Sequence, residues 1–222
     1  MRPPRSSRVA AAAFFIGAVL YGSWLITVFV DSGPAQASDY VSELIATDQP
    51  LSGLLRAADF ATAAAIGFGV IVSVVGGRVR GGMAAVAWAT LAMFAVATAL
   101  DSAWAMSCAP HADPACAARE AAGTVPLSHQ LHTVSSVIAV AAALISLIAF
   151  LRVDARERIS RRVHRFGLWV LGGLCAATVA TVVSVVLDSA GGALGIAQRL
   201  QLLCVSGWLV YVALREATRS SG

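Results

Sequence analysis

The chain has 222 residues, of which 58% are apolar and 13% charged, and its mean hydropathy is +0.78. An ordinary soluble domain is roughly 45–50% apolar and about 25% charged, so a soluble enzyme, a disordered tail and a secreted disulfide scaffold are excluded at the outset. The formal net charge is +4, yet every one of the 16 basic residues is arginine and they fall in short segments between apolar runs. Arginines spread in that way report topology rather than a nucleic-acid-binding face.

Six runs are long enough, at about 1.5 Å per residue, to cross a hydrocarbon core of about 30 Å. They extend from Val9 to Val30, Leu51 to Gly76, Met83 to Leu100, Leu131 to Leu151, Phe166 to Leu187 and Leu194 to Leu214. None shows the strict alternation of an outer-membrane strand, so the expected fold class is all-α: a polytopic membrane bundle of six helices forming one domain over residues 1–222. The basic start and Ala35-Gln36-Ala37 resemble a signal peptide with its cleavage site. The first apolar run exceeds the roughly 7–15 residues of a signal core, and a retained span is expected.

Between the first two runs, Tyr40, Val41, Leu44 and Ile45 form an amphipathic stretch that would cap the bundle or lie on the membrane. At the start of the second run, Asp59 follows Arg56 by three residues and is expected to pair with it on one helix face. After the third run, Cys108 and Cys116 enclose a Pro-containing loop. A short disulfide is expected there, with a metal clip through His111 as the alternative. The fourth run opens with Ser128-His129-Gln130-Leu131-His132, which sets two imidazoles on one face. With Asp101 they would supply three ligands of a zinc site and leave one position for water. The loop from Arg152 to Arg165 holds six arginines against Asp154 and Glu157 and reads as an anchor touching anionic lipid headgroups. Cys175 and Cys204 are expected to be buried packing residues. Ala63 with Gly67, and Gly173 with Ala177, are spaced for close helix contact.

Thirteen of the sixteen arginines belong to one side of this arrangement; Arg56, Arg119 and Arg199 belong to the other. The positive-inside bias then places both termini in the cytoplasm, in an inner (cytoplasmic) membrane. The loop of Cys108 and Cys116 would lie outside, where a disulfide persists.

Superimposed on the six runs is a possible threefold repeat. The first, third and fifth close on an apolar residue, Asp, Ser and a small residue, at Asp31, Asp101 and Asp188. Five residues after the Leu that opens the second, fourth and sixth come Arg56, His132 and Arg199. Three helical hairpins of common pattern would each bring an acid and a base to the outer surface. A carboxylate at a helix C-terminus is disfavoured by a few tenths to about 1 kcal/mol, so a partner should compensate. Either the acids and bases pair across the bundle and fix helix register, or they line one polar pocket.

The six helices, the Ser42-Glu43-Leu44 motif, the Asp101 that closes the third helix, and His129 and His132 entering the fourth resemble the bacterial membrane proteins of the domain of unknown function 998 family. Members commonly continue Ser-Glu-Leu with Gly, where this chain has Ile45-Ala46. The resemblance implies a six-helix membrane protein and no particular activity; its motif positions here are Ser42, Glu43, Asp101 and His132. At the level of fold the family is similar to eukaryotic six-helix proteins of lipid remodelling and autophagy.

Three functions are compatible with this reading. The first is a binder or transporter of a membrane lipid or small amphiphile, with Ser42, Glu43, Asp31, Arg56, Asp101, His132, Asp188 and Arg199 recognising its headgroup. The second is a metal-dependent lipid hydrolase at the outer face, with zinc on Asp101, His129 and His132 and Glu43 as general base. The third is a structural subunit of a membrane assembly. No Gly-rich phosphate loop or nucleophile elbow is present in the sequence.

Overall fold

The computed structural model describes residues 4–30, 40–79, 81–157, 159–187 and 193–218. Among these residues the regular structure is helical throughout. Chains so rich in Ala, Leu and Val satisfy their backbone within each helix, which hydrocarbon requires of any segment crossing it. The first span is α1 (Arg5–Tyr21), followed by a 3₁₀ turn (Ser23–Ile26) and a last helical turn (Thr27–Val30). Next come α2 (Ser52–Val75), α3 (Gly82–Ala103), the short α4 (Pro114–Ala121), α5 (Leu127–Glu157), α6 (Arg161–Val186) and α7 (Ala193–Thr218). All but α4 are long and apolar enough to cross a membrane, which gives the six spans expected. Helix α5 is longer than the apolar run that announced it: 31 residues, with His129 and His132 in its opening turns and Asp154 near its end.

The spans form a ring in chain order. Helices α1 and α2, α3 and α5, and α6 and α7 pack extensively as antiparallel hairpins, and α1 also packs on α7 to close the circle. Its weakest seam lies between α5 and α6. The core is largely Ala, Val and Leu, crossed by aromatic contacts. Trp208 of α7 meets Phe94 of α3 edge to face at 5.0 Å between centroids, and Trp88 of α3 meets Phe150 of α5 at 5.1 Å. Such pairs contribute beyond the area they bury.

Close approach depends on two glycines that the four-residue spacing does not single out. A Cβ on Gly69 would lie 2.6 Å from Phe14 Cε1, and one on Gly167 would lie 2.7 Å from Tyr211 Cε2 and 2.8 Å from Leu151 Cδ2. Gly67, expected to serve this role, has no heavy atom within 4 Å of where its Cβ would stand, whereas Gly173 faces Cys204 Sγ at 2.9 Å as expected of a contact glycine. The expectation of two buried thiols also fails: Cys175 is exposed on α6 and Cys204 is only partly covered.

The two ends of the bundle differ in charge. One end, here the terminal end, carries Arg5, Arg8, Arg78, Arg152, Arg156, Arg161, Arg162, Arg165 and Arg215 on the helix ends and loop that meet there. At the other, distal end lie Arg56, Arg119 and Arg199. Among the described residues, the segregation of arginine expected from sequence is therefore the one observed.

Candidate functional site

The distal end is built from loops stitched to one another. The segment Val41–Ile45 forms a 3₁₀ helix whose Val41, Leu44 and Ile45 bury against Trp24 and Leu55, so it caps the bundle. Val41 N–H donates to Gln198 Oε1 at 2.6 Å, and Ser52 Oγ donates to the Ile45 carbonyl at 2.8 Å. Thr47 N–H donates to the Met106 carbonyl at 2.9 Å and its Oγ1 to that of Ser107 at 3.0 Å, tying the first distal loop to the second. In the second loop Cys108 and Cys116 form a disulfide with Cα atoms 6.0 Å apart, as expected. The thiols are consumed by that bond, so the alternative clip with His111 does not form. Asp113 accepts from Ala115 N–H at 2.9 Å and Pro114 follows it, the combination that starts a helix.

This scaffold holds three imidazole–carboxylate pairs. His111 Nδ1 is 2.6 Å from Oε1 of Glu43, a carboxylate only 2% exposed, and the ring of Tyr40 packs on His111 at 4.6 Å. His132 Nδ1 stands 3.3 Å from Asp101 Oδ1. Asp101 also accepts from Ser135 Oγ on one oxygen and from Ser136 Oγ at 2.8 Å on the other. His129 accepts from Ser107 N–H on Nδ1 at 3.2 Å, which places its proton on Nε2, 3.7 Å from Glu120 Oε1.

Two cavities open among these groups. The smaller, about 110 Å³, is lined by Tyr21, Trp24, Asp59, Thr98, Asp101 and His132 together with residues of α5 and α7. The larger, about 940 Å³, lies along the α5–α6 seam. Its apolar wall comes from Val137, Val140, Ala141 and Leu144 of α5 and Val182 and Val185 of α6; Glu43, His111, Glu120 and His132 stand at its polar end. Ser42, His132, Ser136, Val140, Gln198 and Gln201 line both spaces, so they meet at one polar junction. The geometry follows from the ring: α5 and α6 touch near Leu151 and Gly167, and the seam widens towards the distal end, where their apolar side chains face a gap.

Four buried polar atoms of residues lining the smaller cavity make no hydrogen bond: Trp24 Nε1, Thr98 Oγ1 and both ring nitrogens of His132, Nδ1 lying 3.3 Å from Asp101 Oδ1. Buried polar atoms are ordinarily satisfied, because leaving one bare costs about 1–3 kcal/mol. A space of this size admits water or a small polar headgroup that would supply the missing partners.

Several sequence expectations take a different form. Asp101 and His132 do pair across a hairpin, and Ser42, Glu43, Asp101 and His132 reach the cavities or their rim. Arg56 does not pair with Asp59. Its Nε donates to the Ser102 carbonyl at 2.8 Å, where the C-terminal end of α3 carries partial negative charge that attracts a guanidinium. Asp59, released from that pairing, has no partner among the described residues and lines the smaller cavity. Neither Arg56 nor Arg199 lines either cavity. Asp31 and Asp188 lie outside the described residues, so the acid–base repeat is observed in the α3–α5 hairpin only.

The zinc set does not assemble. Among the described residues no three His, Cys, Asp or Glu side chains gather as a metal site. Asp101 and His132 form one pair while His129 turns to Ser107 and Glu120, and His129 lines neither cavity. Equal spacing on one helix face does not bring two imidazoles to one ion when each already has a partner. Tyr21, Trp24, Thr98, Gln198, Gln201 and Glu120 are among the lining residues that the sequence did not single out. Asp59 was assigned to its near neighbour in sequence, and the glutamines carry no pattern that separates them from other polar positions.

Comparisons with curated proteins and with solved structures return no match. The family described as "Protein of unknown function (DUF998)" matches residues 9–215, which takes in all six spans apart from the tips of the first and last. With nearly its whole length covered and the Ser42, Glu43, Asp101 and His132 positions gathered at the distal end, the chain belongs to the DUF998 family.

Proposed function

We propose that this integral membrane protein binds, and carries or presents, an amphiphile whose chain lies in the α5–α6 cleft and whose headgroup reaches the Asp59, Asp101 and His132 pocket. The observation that carries the reading is the junction of the two cavities. A mainly apolar trough of about 940 Å³ meets a chamber of about 110 Å³ lined by Asp59, Asp101 and His132, whose residues include buried atoms without hydrogen bonds. The trough lies near the upper end of the roughly 300–1,000 Å³ typical of small-molecule sites. Val137, Val182 and Val185, which line it, are exposed on the surface of their helices, so a chain would enter sideways from the bilayer. Ionisable residues within spans turn to interiors or cavities rather than to lipid.

The arginine-rich terminal end supports placing both termini in the cytoplasm of a cell with an inner membrane, so that the cavities open towards the outer leaflet. Arg156→Cys, at an exposed position on α5, should then be labelled by an impermeant thiol reagent only after lysis. Labelling in intact cells would reverse the orientation.

The binding reading is tested by cross-linking the purified chain in nanodiscs with an alkyl diazirine amphiphile and mapping the adducts. Adducts should concentrate on Val137, Val140 and Val182 and diminish in Ala141→Trp, which fills the trough. Adducts spread evenly over lipid-facing positions such as Trp169 and Val75 would remove it.

A further inference from the structure

We infer that the headgroup taken by this site is an ammonium that carries at least one N–H bond, and that an alkyl phosphate or sulfate of equal chain length is rejected. The inference rests on the amphiphile reading above and names its ligand class. Lipid tails are as apolar as the walls of the trough, so moving a chain from bilayer to cleft gains little, and selection falls to the headgroup. Carboxylates predominate among the ionisable groups that meet the headgroup, with His111 and His132 beside two of them. The carboxylates Asp59, Asp101, Glu43 and Glu120 line the two spaces, and among the lining residues there is no arginine. The guanidiniums expected to hold an anion are committed elsewhere or set back: Arg56 is on the Ser102 carbonyl, Arg119 reaches Asp113 at 3.8 Å, and Arg199 lines neither space. A phosphate here would face carboxylates with no guanidinium to pair with, and in surroundings of low dielectric that repulsion is large.

His132 decides between kinds of cation. Both ring nitrogens are buried without a hydrogen bond, Nδ1 standing 3.3 Å from Asp101 Oδ1; a neutral imidazole with its proton on the side of that carboxylate presents Nε2 as a lone-pair acceptor. An N–H bond satisfies it; a quaternary ammonium, which has none, does not. Asp59, which has no partner among the described residues, supplies the counter-charge across the same chamber. Trp24 Nε1, a donor without a partner, would take a water admitted with the headgroup.

The test uses the full chain in nanodiscs of uncharged lipid. Dodecylamine, dodecyltrimethylammonium and dodecyl phosphate each compete against a fluorescent dodecylamine, at low and at high salt. Dodecylamine should displace the probe at least about tenfold more tightly than the other two, and the preference should persist at high salt because the groups are buried. Asp59→Asn should weaken the amine about tenfold and strengthen the weak binding of the phosphate, because one repelling carboxylate is gone. Competition by a two-chain lipid bearing a primary amine identifies a membrane lipid as the source; a single-chain preference identifies a free amine, and either supports the ammonium. Equal or tighter binding of the phosphate in the unaltered protein overturns the inference while the amphiphile reading stands. Binding of none of the three, the fluorescent probe included, removes the amphiphile reading itself. Because the headgroup series needs no substitution, misfolding of Asp59→Asn leaves the test intact.

Discussion

The two ends of the bundle bury charge in opposite ways. At the terminal end Arg215 lies almost wholly inside, its Nε 2.6 Å from Asp154 Oδ1 and its Nη1 3.0 Å from Glu216 Oε1. Tyr211 donates to the second oxygen of Asp154, Arg78 Nε approaches Glu216 Oε2 at 3.6 Å, and the guanidinium sits 4.6 Å above the ring of Phe150. These side chains come from α5, α7 and the α2–α3 connection, and none of them lines either cavity. At the distal end the carboxylates meet imidazoles, the pairs border empty space, and polar atoms beside them lack partners. A closely ion-paired network fixes helices in place; the distal pairs border a cavity, where the proposed ligand would act.

The largest effect should come from breaking the closed end. Arg215→Met leaves Asp154 and Glu216 buried without their main counter-ion, which should cost about 3–5 kcal/mol and lower Tm sharply in detergent. A Tm within about a degree of the unaltered protein would show that these charges are not buried as described. Combining it with Asp154→Leu sharpens the point, because replacing both partners by apolar groups should restore a large part of the loss.

Next in size is the bridge that supports the open end. Cys108→Ser frees a loop whose ends are eight residues apart, and chain entropy gives a loss of about 2–3 kcal/mol. Its effect on ligand binding should exceed that of Arg215→Met at matched stability, because the loop carries His111 and, through α4, Glu120. Equal binding losses in the two variants would contradict the division of labour between the ends.

Overpacking at Gly69 tests the frame common to both. Gly69→Val places methyl groups where Phe14 already stands and should cost about 1–3 kcal/mol, whereas Gly67→Val should change Tm very little. The reverse order in thermal unfolding would refute the assignment of contact glycines. The smallest effect is expected at the rim. Arg119 and Asp113 are half exposed and 3.8 Å apart, so Arg119→Ala should alter stability by no more than about 0.5–1 kcal/mol.

Sequence alone determined the number of spans, the segregation of arginine between the two ends and the short disulfide. Each depends on composition or on residues near in the chain, and hydrocarbon enforces the first regardless of tertiary detail. Asp101 with His132 was also legible, because α3 ends and α5 begins on the same side of the bundle, which sets Asp101 and His132 at one level of two neighbouring spans. What only the tertiary structure decided is who meets whom across the ring. Asp59 is closer in sequence to Arg56 than to anything else basic, yet the α3 C-terminus outbids it for the guanidinium. His129 and His132 share a helix face and still turn to different loops. The arginine loop read as a lipid anchor sits beside Asp154 and Arg215, residues from separate spans whose burial no local pattern announces. The trough exists because α5 and α6 touch closely near one end and diverge at the other. Side-chain partnership between distant segments depends on relative helix placement, which is fixed by packing over the whole ring and is not written in any single span.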